Sequence, residues 1–232
     1  VTRSSDLPLP EGEEKRRAVR SLFDTISGRY DLVNRVMTFG MDRGWRRRAV
    51  RSLRLAGGAL VLDLACGTGD LCTELQRNGY RAVGFDFSHG MLVAATTSCP
   101  LVEADILRLP TRDGVADGAT CGFALRNVVD LRAFFAELAR VVRPGGRIAL
   151  LDASEPENRV MRAGHGVYFR QVVPRIGGLL SDAGAYAYLP RSMAYLPTPP
   201  EMVAMLVAAG FPDAERLQLS GGITQLLVGT RG

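Results

Sequence analysis

The sequence predicts an α/β domain built on a doubly wound, mostly parallel sheet. Three observations carry this expectation. Short apolar runs alternate with amphipathic helical stretches through the middle of the chain, a glycine-rich turn joins the first of those runs to a helix, and the last two runs are linked by Ser220-Gly221-Gly222. Alternating strand and helix is the pattern of parallel βαβ units. A link as short as the last one makes its two strands antiparallel.

Taken in order, residues 1–12 read as a polar, proline-bearing mobile tail, and 13–232 as one domain, a length that doubly wound folds reach as single units. Helical spacing fills 13–55, with Val19, Leu22, Phe23 and Ile26 on one stripe and Leu32, Val33, Val36 and Met37 on another. The first strand is expected at Ala59 to Ala65, followed by the turn Cys66-Gly67-Thr68-Gly69 and a helix carrying Leu71 and Leu75. A second strand runs from Arg81 to Phe85. Ser88 is placed as the N-cap of a helix reaching Thr96. Strands follow at Leu101 to Ala104, Gly118 to Phe123 and Arg147 to Leu151, the last after a Pro144-Gly145-Gly146 turn and a helix over Leu131 to Val142. The stretch 155–200 interrupts the rhythm and reads as a helical lid insert. A helix from Pro200 and strands near Ala214 to Leu219 and Ile223 to Gly229 complete the chain.

Composition narrows the function classes. Hydrophobic residues make up 47% and charged residues 23%, enough for a sizeable core. No apolar run approaches the ~20 residues that span a bilayer and residues 1–14 lack the apolar core of a signal peptide, so a cytoplasmic location is expected. Cys66, Cys72, Cys99 and Cys121 have no paired short spacing, so they read as reduced core thiols and no metal site is expected. The net charge of +5 is almost all arginine, Lys15 being the single lysine. Arg43, Arg46, Arg47, Arg48, Arg51 and Arg54 share one helical segment. That density suits solvated helix faces first, and a peripheral membrane or phosphate contact second. Scattered basic residues and the lack of an Asn-Pro-Pro-Tyr type motif argue against a nucleic-acid partner. The sequence leaves monomer and homodimer both open.

The glycine turn decides the chemistry. A dinucleotide turn wants a third glycine and a pyrophosphate at the helix N-terminus; here that position is Cys72, and Asp63 and Asp70 flank the turn with negative charge. A cationic ligand fits better. S-adenosylmethionine carries a sulfonium and an amino group and no phosphate. Asp63 helps to place the amino group, Asp86, at the end of the second strand, suits the ribose hydroxyls, and Asp105, after the third, suits the adenine amino group. The fold class expected is thus a class I methyltransferase, a Rossmann-like sheet with an antiparallel last strand, N-terminal helices and a helical lid.

Three further stretches narrow the reading: Arg29-Tyr30-Asp31-Leu32-Val33-Asn34, Leu125-Arg126-Asn127-Val128, and Val173-Pro174-Arg175-Ile176-Gly177 with Ala187-Tyr188-Leu189 and Ser192. Together with Val61 to Asp70 they make the chain resemble the ubiquinone/menaquinone-biosynthesis C-methyltransferase family. The resemblance implies methyl transfer to a ring carbon of a prenylated quinol such as demethylmenaquinol. It implies cofactor contacts at Thr68, Asp86, Asp105, Ile106 and Gly122, to which the turn itself adds Asp63, Gly67 and Gly69, and Phe87 stands beside Asp86. Tyr30, Arg126 and Asn127 would lie towards the ring. The chain departs from the family pattern at Asp42, where histidine is frequent, at Gly122 and Ala124, and at Thr224-Gln225-Leu226-Leu227.

For the chemistry, Arg126 is expected to stabilise a phenolate rather than act as a base, because guanidinium stays charged. Water or Asp152 would take the proton, Asn127 would orient the ring hydroxyl and Tyr30 would close over the cofactor. His89 reads as a capping or surface residue, and His165, near Tyr168 and Phe169, as a lid residue; Tyr186 and Tyr188 read as packing aromatics. Two alternatives stand beside this reading: a C- or O-methyltransferase of an aromatic or polyketide, and a cofactor-binding protein of this fold without methyl transfer.

Overall fold

The computed structural model describes residues 11–168 and 191–232, without the side chains of residues 165 and 167. The stretches 173–177 and 187–189, with Phe169, Tyr186, Tyr188 and the side chain of His165, lie outside the described residues.

The N-terminal helices are α1 (Gly12–Ile26), α2 (Tyr30–Met37) and α3 (Met41–Ser52). Then come β1 (Leu60–Leu64), α4 (Asp70–Arg77), β2 (Arg81–Asp86), α5 (His89–Val93), β3 (Leu101–Glu103), β4 (Ala116–Gly122), α6 (Leu131–Val141) and β5 (Val142–Ala153). The chain ends with α7 (Arg159–Val167), α8 (Pro199–Ala208), β6 (Glu215–Leu219) and β7 (Thr224–Thr230). The sheet order is β3-β2-β1-β4-β5-β7-β6. β1 to β5 pair in parallel, and β7 runs antiparallel to both β5 and β6. This is the expected doubly wound sheet with a reversed last strand.

The strand period of two divides the core. Leu62, Leu64, Ile148, Leu150 and Leu227 face α6 and α8, packing on Phe134, Phe135, Leu138 and Leu206. Val61, Ala149, Leu151, Leu226 and Val228 face the other way, onto Trp45 and Val50 of α3, Leu53 just after it, and Leu75 of α4. Strands buried on both faces read as apolar runs, which is why they were legible.

Several expected boundaries shift. α5 stops at Val93 rather than Thr96, although Ser88 caps it as expected, accepting from the Met91 amide. The Pro144-Gly145-Gly146 turn is absorbed into β5: Val142 pairs with Ala116 before the register jumps to Arg147 opposite Gly118. It is a bulge rather than a chain reversal. All four cysteines are buried free thiols. Within the arginine cluster, Arg46 is buried while the other five are exposed.

Candidate active site

The order β2-β1-β4 puts the reversal of strand order between β1 and β4, and the loops leaving their carboxyl ends surround a crevice. Ala65 and Phe123, the residues just beyond β1 and β4, take φ values of +54° and +60°. Such strain in non-glycine residues concentrates at sites the surrounding structure holds in place. Arg16, Val19 and Phe23 of helix α1 line one side of the crevice.

Two cavities open there. The smaller, about 90 Å³, is lined by Gly67, Asp86, Phe87, Asp105, Ile106, Gly122 and Asn127. The larger, about 360 Å³, is walled by Leu22, Ile26, Met37, Phe39, Trp45 and Met161 around the polar groups Asn34, Asp42, Arg46 and Arg126. Phe23, Tyr30 and Phe123 belong to both. Three aromatic side chains thus form a wall common to the two cavities.

Asp86 anchors the smaller cavity. Its carboxylate accepts from the Gly67 amide at 2.8 Å and the Ser88 amide at 2.9 Å. Burial nevertheless pushes its pKa above the ordinary carboxylate value, because two amides do not replace full hydration. Each oxygen keeps a lone pair, so hydroxyl donors entering the cavity would complete its solvation. Gly67 faces the same space with φ +54°, and a Cβ there would meet no protein atom within 4 Å and would fill the cradle instead. Gly69 is glycine for another reason: at φ +86° its Cβ would lie 2.4 Å from Thr97 Cγ2.

Helix α1 is tied to the segments at the carboxyl ends of β2, β3 and β4. Arg16 pairs with Asp105 at 2.9 Å and Arg20 with Glu103 at 2.7 Å. Asp24 accepts from the Ser88 hydroxyl at 2.6 Å and the Gly90 amide at 3.0 Å. Lys15 donates to the Val128 carbonyl at 2.9 Å and sits 3.6 Å from the centre of the Tyr195 ring. Burial lowers the Lys15 pKa to about 8. His89, exposed as expected, contacts Glu103 at 3.0 Å.

In the larger cavity Arg126 is 7% exposed and ion-paired with Asp152, which is fully buried. Asp152 also accepts from the amides of Arg126 at 3.1 Å and Ala153 at 2.7 Å. The pair fixes the guanidinium in the cavity wall. Tyr30 packs edge-on against Phe23 at 5.8 Å, and burial raises its pKa. Asp42 accepts from the Thr38 hydroxyl at 3.0 Å and pairs with Arg46, which also reaches Asp70 at 3.2 Å. Among the described residues Asp42 is the one acidic side chain in this wall. Tyr168, from the insert, closes one end, its hydroxyl donating to the Met37 carbonyl at 2.7 Å and its ring 5.8 Å from that of Phe39.

Five expected site residues sit differently from the sequence reading. Asp63 does not face the crevice: it is fully buried beneath the turn, accepting from Thr120 Oγ1 at 2.8 Å and Cys72 Sγ at 3.4 Å, and burial raises its pKa to about 7. It supports the turn from below. Thr68 donates to Asp31 at 2.6 Å, docking α2 on the turn, and neither it nor Gly69 lines the cavity. Asp152 is shut behind Arg126: it holds the guanidinium and lines neither cavity. Asn127 lines the smaller cavity rather than the ring side, because the 3-10 turn Leu125–Asn127 points consecutive side chains to opposite cavities. Asp86, Phe87, Asp105, Ile106, Gly122 and Gly67 line the smaller cavity, Arg126 the larger and Tyr30 both.

Sequence reasoning missed Phe123, Arg46, Arg16 and Asp24. Phe123 gave no signal because strain is a backbone property. Arg46 was hidden among surface arginines, although its position between Trp45 and Ala49 on the inner stripe of α3 marks it as buried. The residues present fit an adenosyl cofactor with no phosphate: the cradle at Gly67, the incompletely solvated Asp86 and the apolar Phe87 and Ile106 suit a ribose and a flat base, and Arg16 is the one cation lining it among the described residues.

Comparisons with known proteins bear on the family and the fold. A model of the ubiE/COQ5 methyltransferase family matches residues 11–231. The ubiquinone/menaquinone biosynthesis C-methyltransferase UbiE of Geobacter sulfurreducens is 38% identical over 231 residues, covering 94% of this chain and 90% of that protein. The demethylmenaquinone methyltransferase of Deinococcus radiodurans is 39% identical over the whole of both chains. Among solved structures, a SAM-dependent methyltransferase from Thermotoga maritima superposes with a TM-score of 0.66 at 17% identity, covering 91% of this chain and 99% of that one. Another from Aquifex aeolicus gives 0.62 at 14%, covering 87% and 98%. The solved structures establish the fold alone; the family model and the relatives place the chain in the ubiE/COQ5 methyltransferase family.

Proposed function

We propose that this protein is an S-adenosylmethionine-dependent C-methyltransferase acting on a ring carbon of a prenylated quinol such as demethylmenaquinol. One observation carries the reading: an apolar cavity of about 360 Å³ with a buried guanidinium in its wall shares Phe23, Tyr30 and Phe123 with the cavity at Asp86. The relatives named for demethylmenaquinone methylation support this acceptor. They favour neither an aromatic polyketide nor a function without methyl transfer.

When bound, the cofactor supplies an electrophilic methyl group. Asp86 would hold its ribose, with Gly67 leaving room for the ligand and Phe87 and Ile106 flanking the base. On the acceptor side, Arg126 supplies a fixed positive charge to a quinol oxygen as it ionises, which raises the electron density of the ring. Donors that need no reorganisation in a dry site are worth about 10²–10³ in rate each. Asp152 keeps the guanidinium in place, and Tyr30 at the shared wall restricts the ring to one approach, a positioning effect that can remove several kcal/mol of barrier.

The prenyl tail gives a role to the apolar surface at the cavity mouth. Leu32, Val36, Phe39 and Met41 are exposed, Phe39 by 75%, and Phe39 and Met41 also line the cavity. A quinol ring in the cavity would leave its tail along this patch, as peripheral contact with a lipid surface allows. Among the described residues no helix is long and apolar enough to cross a membrane.

Incubation with methyl-labelled cofactor, a panel of reduced short-chain demethylmenaquinones and a panel of aromatic polyketides tests the proposal. Label entering the quinols is the expected result; transfer confined to the polyketides refutes it.

A further inference from the structure

We propose that Asp42 accepts the proton of the quinol hydroxyl, a role that rests on reading the larger cavity as the acceptor site. A quinol carbon becomes a strong nucleophile when its hydroxyl ionises, so a proton must leave an apolar enclosure as the reaction begins. Its destination can be found by elimination along the described wall. Arg46 and Arg126 are permanently protonated. The Tyr30 and Tyr168 phenols are held neutral by burial and are poor acceptors. Asp152 is shut behind Arg126. Asp42 is what remains, the one carboxylate in the wall among the described residues, and it is 2% exposed.

Its setting suits the task. Thr38 donates to Oδ1 at 3.0 Å and Arg46 to Oδ2, so the carboxylate is held in one orientation. Each oxygen keeps a second lone pair. The charged and titratable groups that share its wall are Tyr30, Arg46, Arg126 and Tyr168, and its partner Arg46 also reaches Asp70 on α4.

In the step, the quinol O–H bond breaks, its electron pair stays on the oxygen facing Arg126, and the proton passes to a carboxylate oxygen of Asp42. C-methylation exchanges a ring hydrogen for a methyl group. The ring proton is lost to water, Asp42 returns its proton to the oxygen, and one proton is released per turnover. The two charges divide the work: Arg126 steadies the anion that Asp42 creates. This accounts for a buried carboxylate in a cavity otherwise built for an apolar guest.

The test uses the full chain with cofactor and a reduced short-chain demethylmenaquinone. Positioned general bases contribute about 10²–10⁴ in rate, so Asp42→Asn is expected to lower kcat at least about 100-fold. Quinol KM and calorimetric cofactor affinity should stay within about twofold, and the residual rate should climb with pH as hydroxide substitutes for the lost base. Asp42→His restores a proton acceptor. It should regain a tenth or more of kcat, with an acid limb near pH ~6.5 set by the imidazole. The proposal is overturned if Asp42→Asn turns over within threefold of the parent, or if Asp42→His is folded and binds cofactor yet regains nothing. Parallel loss of thermal stability, cofactor affinity and turnover in both variants also overturns it, since that marks a packing role. If the parent chain methylates no quinol, the acceptor assignment itself fails, and the proposal with it.

Discussion

Arg126 and Asp152 test whether the site's electrostatics and its stability can be separated. The pair is almost wholly removed from water, with Arg126 7% exposed and Asp152 not at all. Removing one member of such a pair typically costs about 3–5 kcal/mol, because the remaining charge is left buried without its partner. Arg126→Met should fall at the lower end, since Asp152 keeps the amides of residue 126 and Ala153. Asp152→Leu should fall at the upper end, leaving a guanidinium in an apolar wall. The double variant removes both charges and should return to within about 1.5 kcal/mol of the parent, as apolar replacements of buried pairs often do.

Turnover should behave otherwise. Arg126→Met loses the charge that faces the ionising oxygen, a fall of about 10²–10³ in kcat that the double variant does not recover. Urea unfolding gives the stabilities, and labelled-methyl transfer gives the rates. A double variant whose destabilisation equals the sum of the singles, or one that regains turnover, would refute this account of the pair.

Three other outcomes follow from the geometry. Asp86→Asn should weaken calorimetric binding of S-adenosylmethionine at least tenfold, since a charge-assisted hydrogen bond is worth about 1.5–3 kcal/mol; unchanged affinity removes the ribose assignment. For Asp63, a folded pKa of about 7 against an ordinary 3.8 means that the folded chain holds a proton the unfolded chain has released. That contribution to stability is complete below about pH 4 and declines as the pH rises through 7, by up to about 4 kcal/mol. Asp63→Asn should therefore flatten the denaturant midpoint across this interval, and an unchanged slope argues against burial as the cause. Gly69→Ala combines φ +86° with a 2.4 Å approach to Thr97 and should cost about 1–3 kcal/mol with a loss of cofactor affinity; a variant as stable as the parent contradicts the steric account.

Much of this was legible in the sequence because it obeys local rules. Strands buried on both faces read as apolar runs, Ser88 announced a helix start, and Ser220-Gly221-Gly222 announced the strand reversal. Asp86 and Asp105 were legible as acids at strand ends. What stayed hidden was direction. Asp63 has the right position on the strand but points beneath the turn, because period two decides the face while the crevice lies at the strand's end. Arg126 and Asn127 are adjacent in sequence and serve different cavities, a consequence of the 3-10 turn they occupy. The ties of α1 to Glu103, Asp105 and Ser88 join residues more than sixty positions apart, and nothing local encodes them.

The central claim is methyl transfer to carbon, and the position of the label tests it most directly. With carbon-13 methyl cofactor and a reduced short-chain demethylmenaquinone, NMR of the extracted product should show the new methyl on the unsubstituted ring carbon ortho to a hydroxyl. A labelled methoxy signal, or no transfer to any quinol while the protein binds cofactor, would contradict the account.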